Sequence, residues 1–360
     1  MFLSLLAAAM MITLSVNIFA ENPQDNEKVG AVYAMTNSPS GNAVVIFDRN
    51  DEGMLTMSGS ISTGGMGSGS MLDPLGSQGS LVLSKDQIWL LAVNAGSNEI
   101  SVFRVMPDEL KLTDKVNSGG MFPISVTIFH NIAYVLNANG SPNIAGFSLS
   151  NKGKLTLLSN STRLLGAGGF AQVGFTPDGE KLVITDKANN KILVYSVMDN
   201  GLPSMNPMSS SSNGMTPFGF FFDQWEHLLV VEATTNAVSS YKIMPNDMLD
   251  VISGSVTNGQ KAACWITGNE SGEIFTANPG TSSISAYKSY KGSLVLLNPV
   301  AGLGNTPLDL SITRDGTFLY ALDPKNGTID MFKIDRHATL INLGTVAGGF
   351  SIFAQGIAAQ

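Results

Sequence analysis

A 23-residue pattern recurs without internal gaps along this chain and restricts its fold more than any other feature. It reads LSKDQIWLLAVNAGSNEISVFRV from Leu83 and FTPDGEKLVITDKANNKILVYSV from Phe175. It returns as FFDQWEHLLVVEATTNAVSSYKI from Phe221 and ITRDGTFLYALDPKNGTIDMFKI from Ile312. The fourth place holds Asp86, Asp178, Gln224 and Asp315, and the eighth is always leucine: Leu90, Leu182, Leu228 and Leu319. The twelfth holds Asn94, Asp186, Glu232 and Asp323. The eighteenth is aliphatic (Ile100, Ile192, Val238, Ile329) and the twenty-first aromatic (Phe103, Tyr195, Tyr241, Phe332). The starts are spaced by 92, 46 and 91 residues, close to multiples of 46, which is the mark of a repeat architecture. Weaker copies carry Asn37 with Phe47, Asn137 with Phe147, and Asn278 with Tyr287, which makes seven units.

Each unit holds four strand signals, as in AQVGFT, KLVITD, KILVYSV and the poorer GLPSMNPM. Pro-Asp-Gly between the first two is a hairpin turn, since Pro presets φ and Gly tolerates a positive φ. No run has helical periodicity. Four antiparallel strands repeated seven times predict an all-β fold, a seven-bladed β-propeller over residues 21–360. The chain enters at Val29 on what reads as a second strand and ends on FSIFAQGIA, which reads as a first strand. Residues 350–358 are therefore expected to pair with residues 32–36 and close the ring.

The 360 residues are 44% apolar and 13% charged, with a net charge of −8. No Lys/Arg cluster is present to neutralise phosphates, so nucleic-acid binding and docking on anionic lipid are not expected. The first twenty residues, MFLSLLAAAMMITLSVNIFA, read as a signal peptide cut after Ala20, implying a periplasmic or secreted protein with no membrane insertion after cleavage. An uncleaved N-terminal anchor is the alternative. The one cysteine, Cys264, cannot form an internal disulfide and reads as a small buried hydrophobe.

The blades TPDGEKLVITDKANNKILVYSV and ITRDGTFLYALD resemble those of the seven-bladed lactonase family, which includes bacterial 6-phosphogluconolactonase and fungal carboxymuconate cyclases. YVTN-type propellers share the pattern. The resemblance implies the propeller fold and, for an enzyme, lactone hydrolysis. That family often carries His-Pro just before an innermost strand. Here those places read Phe122-Pro123, Thr216-Pro217 and Thr306-Pro307, none titratable. The expectation is thus a ligand- or protein-binding module, with a sugar lactone or a protein partner at one face. Lactone hydrolase is the alternative.

In a propeller, loops between blades share one face, here called the top, with the turns between second and third strands. The ring Asn37, Asn94, Asn137, Asp186, Glu232, Asn278 and Asp323 belongs there. Turn formation explains these residue types; Asp186, Glu232 and Asp323 are also candidate ligand-binding residues. Two Gly/Ser/Met-rich inserts, residues 64–78 and 203–215, are expected as mobile loops on the same face. Asp309, in PLDLSIT, is placed at the channel as a candidate catalytic base, with Ser125 and Gln172 in similar places as candidate ligand-binding residues. His130, His227 and His337 fit no metal site, and Met205, Met208 and Met215 read as apolar filler rather than Cu(I) ligands. No cofactor or metal is expected, and the chain is expected to be a monomer.

Overall fold

The computed structural model describes residues 27–360. The expected leader, and the alternative anchor, lie outside them. No helix among the described residues is long and apolar enough to cross a membrane. The chain forms seven antiparallel sheets. The innermost strands are Leu81–Leu83, Met121–Phe129, Phe170–Phe175, Pro217–Phe222, Trp265–Gly268, Leu308–Ile312 and Ile357–Ala359. Each packs against the next, and the last returns to the first. The sheets are the blades of a seven-bladed β-propeller.

The repeat positions explain the packing. The seven aromatics at the twenty-first place, Phe47, Phe103, Phe147, Tyr195, Tyr241, Tyr287 and Phe332, are all buried, as are the four leucines at the eighth. Burying one such side chain contributes roughly 1.5–3 kcal/mol, so the pattern marks the residues that hold blade to blade. The aspartate at the fourth place closes the first turn. Asp178 Oδ1 accepts the Thr176 hydroxyl at 2.5 Å and the Glu180 N–H at 3.0 Å, and Asp315 does the same with Thr313 and Thr317. In blade five Gln224 stands there instead, and Asp223 takes over, accepting the N–H groups of Trp225 and His227 at 2.9 Å.

The ring closes through the C-terminal strand, but over a shorter stretch than expected. Ile357, Ala358 and Ala359 pair with Ala34, Tyr33 and Val32. Residues 350–356 form a loop instead, with a turn from Ser351 to Ala354 and Phe350 packed on Phe47 at 6.1 Å between ring centroids. The fourth blade also departs from the reading. Its outer strand is Met208–Ser211, not GLPSMNPM. The insert 203–215 is therefore not a top-face loop. It begins in the turn at the bottom, forms the outer strand, and reaches the top only at its end. Its first residues are fixed by Arg163 of blade three, whose guanidinium donates to the Ser204 carbonyl at 2.8 Å and to that of Pro203. Met205, Met208 and Met215 are exposed, so they are not core filler.

Candidate functional site

Adjacent innermost strands are joined by side chains that bond to the neighbouring backbone. Ser125 Oγ accepts the Val173 N–H at 3.2 Å. Gln172 spans blades four and five: its Oε1 accepts the Phe220 N–H at 2.7 Å and its Nε2 donates to the Phe220 carbonyl at 3.2 Å. The structure thus places Ser125 and Gln172 in the channel wall.

The insert 64–78 joins blade one to blade two on the top face, as expected, but it does not hang free. It crosses the channel mouth and is bonded on several sides. The Ser77 hydroxyl donates to the Ile124 carbonyl at 2.7 Å, and the Ser77 carbonyl accepts from Trp265 Nε1 at 3.0 Å and Gln355 Nε2 at 2.7 Å. Gln78 donates its backbone N–H to the Ala171 carbonyl at 3.2 Å. Its side-chain amide exchanges two bonds with Ile266, at 2.9 and 3.0 Å. Blades three, four and six therefore hold the segment as a plug, together with the loop carrying Gln355. Gly/Ser composition suggested mobility; backbone groups that find partners across the channel remove it. Gln78→Met should lower stability by about 1–3 kcal/mol, because the Ile266 N–H and carbonyl both lose their partner. Urea unfolding checks this.

Ionisable groups collect around the plug. Asp73 Oδ1 accepts the Gly76 N–H at 3.1 Å, while the Lys187 ammonium donates to the Gly76 carbonyl and sits 4.8 Å over the Phe218 ring. Phe218 in turn stacks edge-on against Trp265, with centroids 5.2 Å apart. Burial pushes the Asp73 carboxyl up to about 7 although the Lys187 charge opposes it. Burial likewise lowers Lys187. Half-buried Cys264 lies close to both charges, and desolvation pushes its thiol up to about 12, so it stays protonated. Asp309 is deeper. It is the extra residue of a β-bulge, in the left-handed region at φ 59°, and is 4% exposed. Its carboxyl accepts the N–H groups of Leu310 and Ile357, and burial raises it to about 7, with the Asp73 charge adding a smaller push.

The ring residues lie on the top face, where blade-to-blade loops meet the second turns through bonds such as Lys187 N–H to Gly169 carbonyl at 2.8 Å. All seven are buried. Asp186 accepts the Gly169 N–H at 3.0 Å and the Asn189 side chain at 2.7 Å. Glu232 accepts the Gly214 N–H at 2.7 Å and the hydroxyls of Ser239 and Ser255 at 2.6 and 2.7 Å. Among the described residues Asp323 accepts only the Asn326 N–H, at 3.3 Å. Phe122 and Thr216, at two of the His-Pro places, adopt positive φ and donate their N–H groups to Asn98 and Asn190, each at 2.7 Å. Among the described residues no group of three or more His, Cys, Asp or Glu could hold a metal.

A cavity of 780 Å³ opens on the bottom face, lined in part by Arg49, Asp86 and Asp315. Its acids already close the first turns; against the upward push of burial, hydrogen bonds from the Thr313 hydroxyl and from Thr317 hold Asp315 below its ordinary range, with a smaller pull from the Arg49 charge. The chemistry therefore centres on the mouth.

A family model described as "Lactonase, 7-bladed beta-propeller" matches residues 40–169 and 81–347. The chain belongs to the seven-bladed lactonase family. It is 23% identical over 180 residues to a 6-phosphogluconolactonase of Bacillus subtilis (strain 168), a match covering 47% of this chain and 51% of that relative. The match thus spans about half the length of this curated relative. A Bacteroides fragilis structure, provisionally called a 6-phosphogluconolactonase, superposes with a TM-score of 0.72 at 17% identity, over 94% of this chain and 100% of that one. The Pseudomonas aeruginosa periplasmic gluconolactonase gives 0.70 at 13% identity, over 92% and 98%. At these identities the structural likeness speaks for the fold.

The mouth cluster was only partly visible in the sequence. Asp73 sat in a segment read as mobile. Lys187 carried a signal: the residue after the ring position is Ser38, Ala95, Ala138, Ala233, Pro279 or Pro324 in the other units, and charged only here.

Proposed function

We propose that this lactonase-family propeller hydrolyses a sugar-derived lactone at its channel mouth. Asp73 acts as general base and Lys187 meets the developing oxyanion. The observation that carries the reading is a half-buried carboxyl near neutral pKa beside a half-buried ammonium, over the apolar wall of Phe218 and Trp265. Water adds to the lactone carbonyl as Asp73 takes its proton. The tetrahedral oxyanion faces the Lys187 charge. The ring C–O bond then breaks, and the leaving ring oxygen takes the proton back, giving a hydroxy acid. Turnover should rise with pH through about 7 as Asp73 ionises, and fall again where the lowered Lys187 loses its proton. Work as an exported monomer belongs to the same proposal; the apolar opening of the chain supports the export.

A second reading, a binding module acting through the top face, is favoured by the plug, which fills the mouth with the chain's own backbone. One assay separates them: hydrolysis of δ- and γ-sugar lactones by the purified protein in a pH-stat. Asp73→Asn and Lys187→Met should each lower kcat/KM by about 10²–10³-fold. Asp309→Asn should stay within about tenfold, because Asp309 lies beneath the plug. A loss confined to Asp309→Asn moves the base to that residue. A wild-type protein inactive on every lactone leaves the binding reading.

A further inference from the structure

The nineteenth place of the repeat stands diagonally across the strand pair from the twelfth. In blade two Asn94 Nδ2 donates to the Ser101 hydroxyl at 2.8 Å. In blade five Ser239 donates to Glu232 at 2.6 Å, and in blade six Asn278 donates to Ser285 at 2.9 Å. The loop entering each of these blades adds a further hydrogen-bond donor. Thr63 donates to Asn94 at 2.7 Å and Asn258 to Asn278 at 2.9 Å, while the end of the insert in blade four gives Glu232 a backbone N–H from Gly214.

Blade seven has the same register, with Asp323 opposite Thr328 and Ala321 opposite Asp330. Its two positions are both carboxylates. Its entering loop brings Gly304, whose missing Cβ would stand 2.5 Å from Asp330 Oδ2. Asp323 is fully buried and Asp330 is 4% exposed. Among the described residues the Oδ2 atoms of both have no hydrogen-bond partner. Leaving two like charges buried and unpaired costs several kcal/mol by order of magnitude in any protein, so something must answer them.

We propose that Asp323 and Asp330 bind a hard, oxygen-preferring cation, calcium, at the top of blade seven. The unanswered atoms are acceptor-only carboxylate oxygens, with no thiolate or imidazole among them, which suits calcium rather than zinc. The two carboxylates supply the charge. A site so lightly charged belongs to the weak class, with Kd on the order of 10⁻⁴–10⁻³ M. It is separate from the Asp73–Lys187 mouth and does not depend on the reaction proposed there.

The test is calcium titration of EDTA-dialysed full-length protein by isothermal calorimetry at pH 7.5, with thermal melts over the same range. The wild type should show one saturable site and a Tm that rises by a few degrees. Asp330→Ser, which installs the hydroxyl that blades two, five and six carry, should stay folded, bind no calcium and melt alike with and without it. Asp323→Asn should also lose the calcium response, and serves if the serine variant fails to fold. A wild type that binds no calcium overturns the proposal. So does binding that survives in both variants. A calcium-insensitive wild type whose Tm rises more steeply than that of Asp330→Ser as pH falls from 8 to 6 would mean that the pair shares a proton instead, and equally overturns it.

Discussion

Removing residues 349–360 should abolish the cooperative melt of this propeller. Ile357, Ala358 and Ala359 are the innermost strand of blade one, and all three are buried. Without them the strand Gly30–Met35 becomes a bare inner edge. The N–H of Met35 loses the Gly356 carbonyl at 3.0 Å, and the Ala31 carbonyl loses the Gln360 N–H at 2.9 Å. Blade seven loses its neighbour too, since the Ala359 N–H donates to Ser311 Oγ at 2.9 Å. The plug loosens with it, because Gln355 holds the Leu75 N–H and the Ser77 carbonyl. Phe350 leaves an opening beside Phe47. One buried isoleucine and one phenylalanine alone are worth roughly 3–6 kcal/mol. A whole domain is stable by only about 5–15 kcal/mol. The truncated chain should therefore show no sigmoidal transition by circular dichroism, and should bind a hydrophobic dye at room temperature. A melt unchanged from the full-length protein would mean that the ring closes by some other contact.

The fold was legible because every blade repeats the same demands. Leu182, Ile192 and Tyr195 answer to the same neighbours as Leu90, Ile100 and Phe103, so alignment within the chain exposes them. The channel mouth was not legible, because nothing there repeats. Gln78 meets Phe220 and Ile266, far along the chain, and no spacing rule connects them. The ring of Asn, Asp and Glu was visible and drew a ligand reading beside the turn-forming one. In the fold its side chains are largely spent on backbone and hydroxyl partners. Departures from the repeat are more informative than matches to it. Lys187 is a lone charge at a place otherwise held by Ser, Ala or Pro, and Asp330 stands where other units carry Ser101, Ser239 or Ser285.

Asp309→Asn should change how stability depends on pH. The buried carboxyl has a folded pKa near 7 against about 4 when unfolded, so the folded state holds its proton more tightly. Between those two values the native chain keeps a proton that the unfolded chain has released. The Asp309 contribution to wild-type stability then falls as pH rises from about 4 to 7, and stays level above that. Asparagine never ionises and escapes the fall. Asp73 and Asp330, also raised, titrate in the same window, but they are present in both proteins, so their contributions cancel in the difference apart from the small push between Asp73 and Asp309. The variant should therefore gain on the wild type by up to about 4 kcal/mol between pH 4 and pH 8, three units at 1.36 kcal/mol each. A constant offset of about 1 kcal/mol against the variant is expected at pH 4, where an amide NH2 replaces one of the buried carboxyl oxygens beside the Leu310 and Ile357 N–H groups. Paired urea titrations at pH 4, 6 and 8 read the swing directly. A difference that stays flat would show that Asp309 is already ionised at low pH in the folded chain. Its carboxylate would then be held by the two backbone donors against burial, and a base role beneath the plug would return as the stronger assignment.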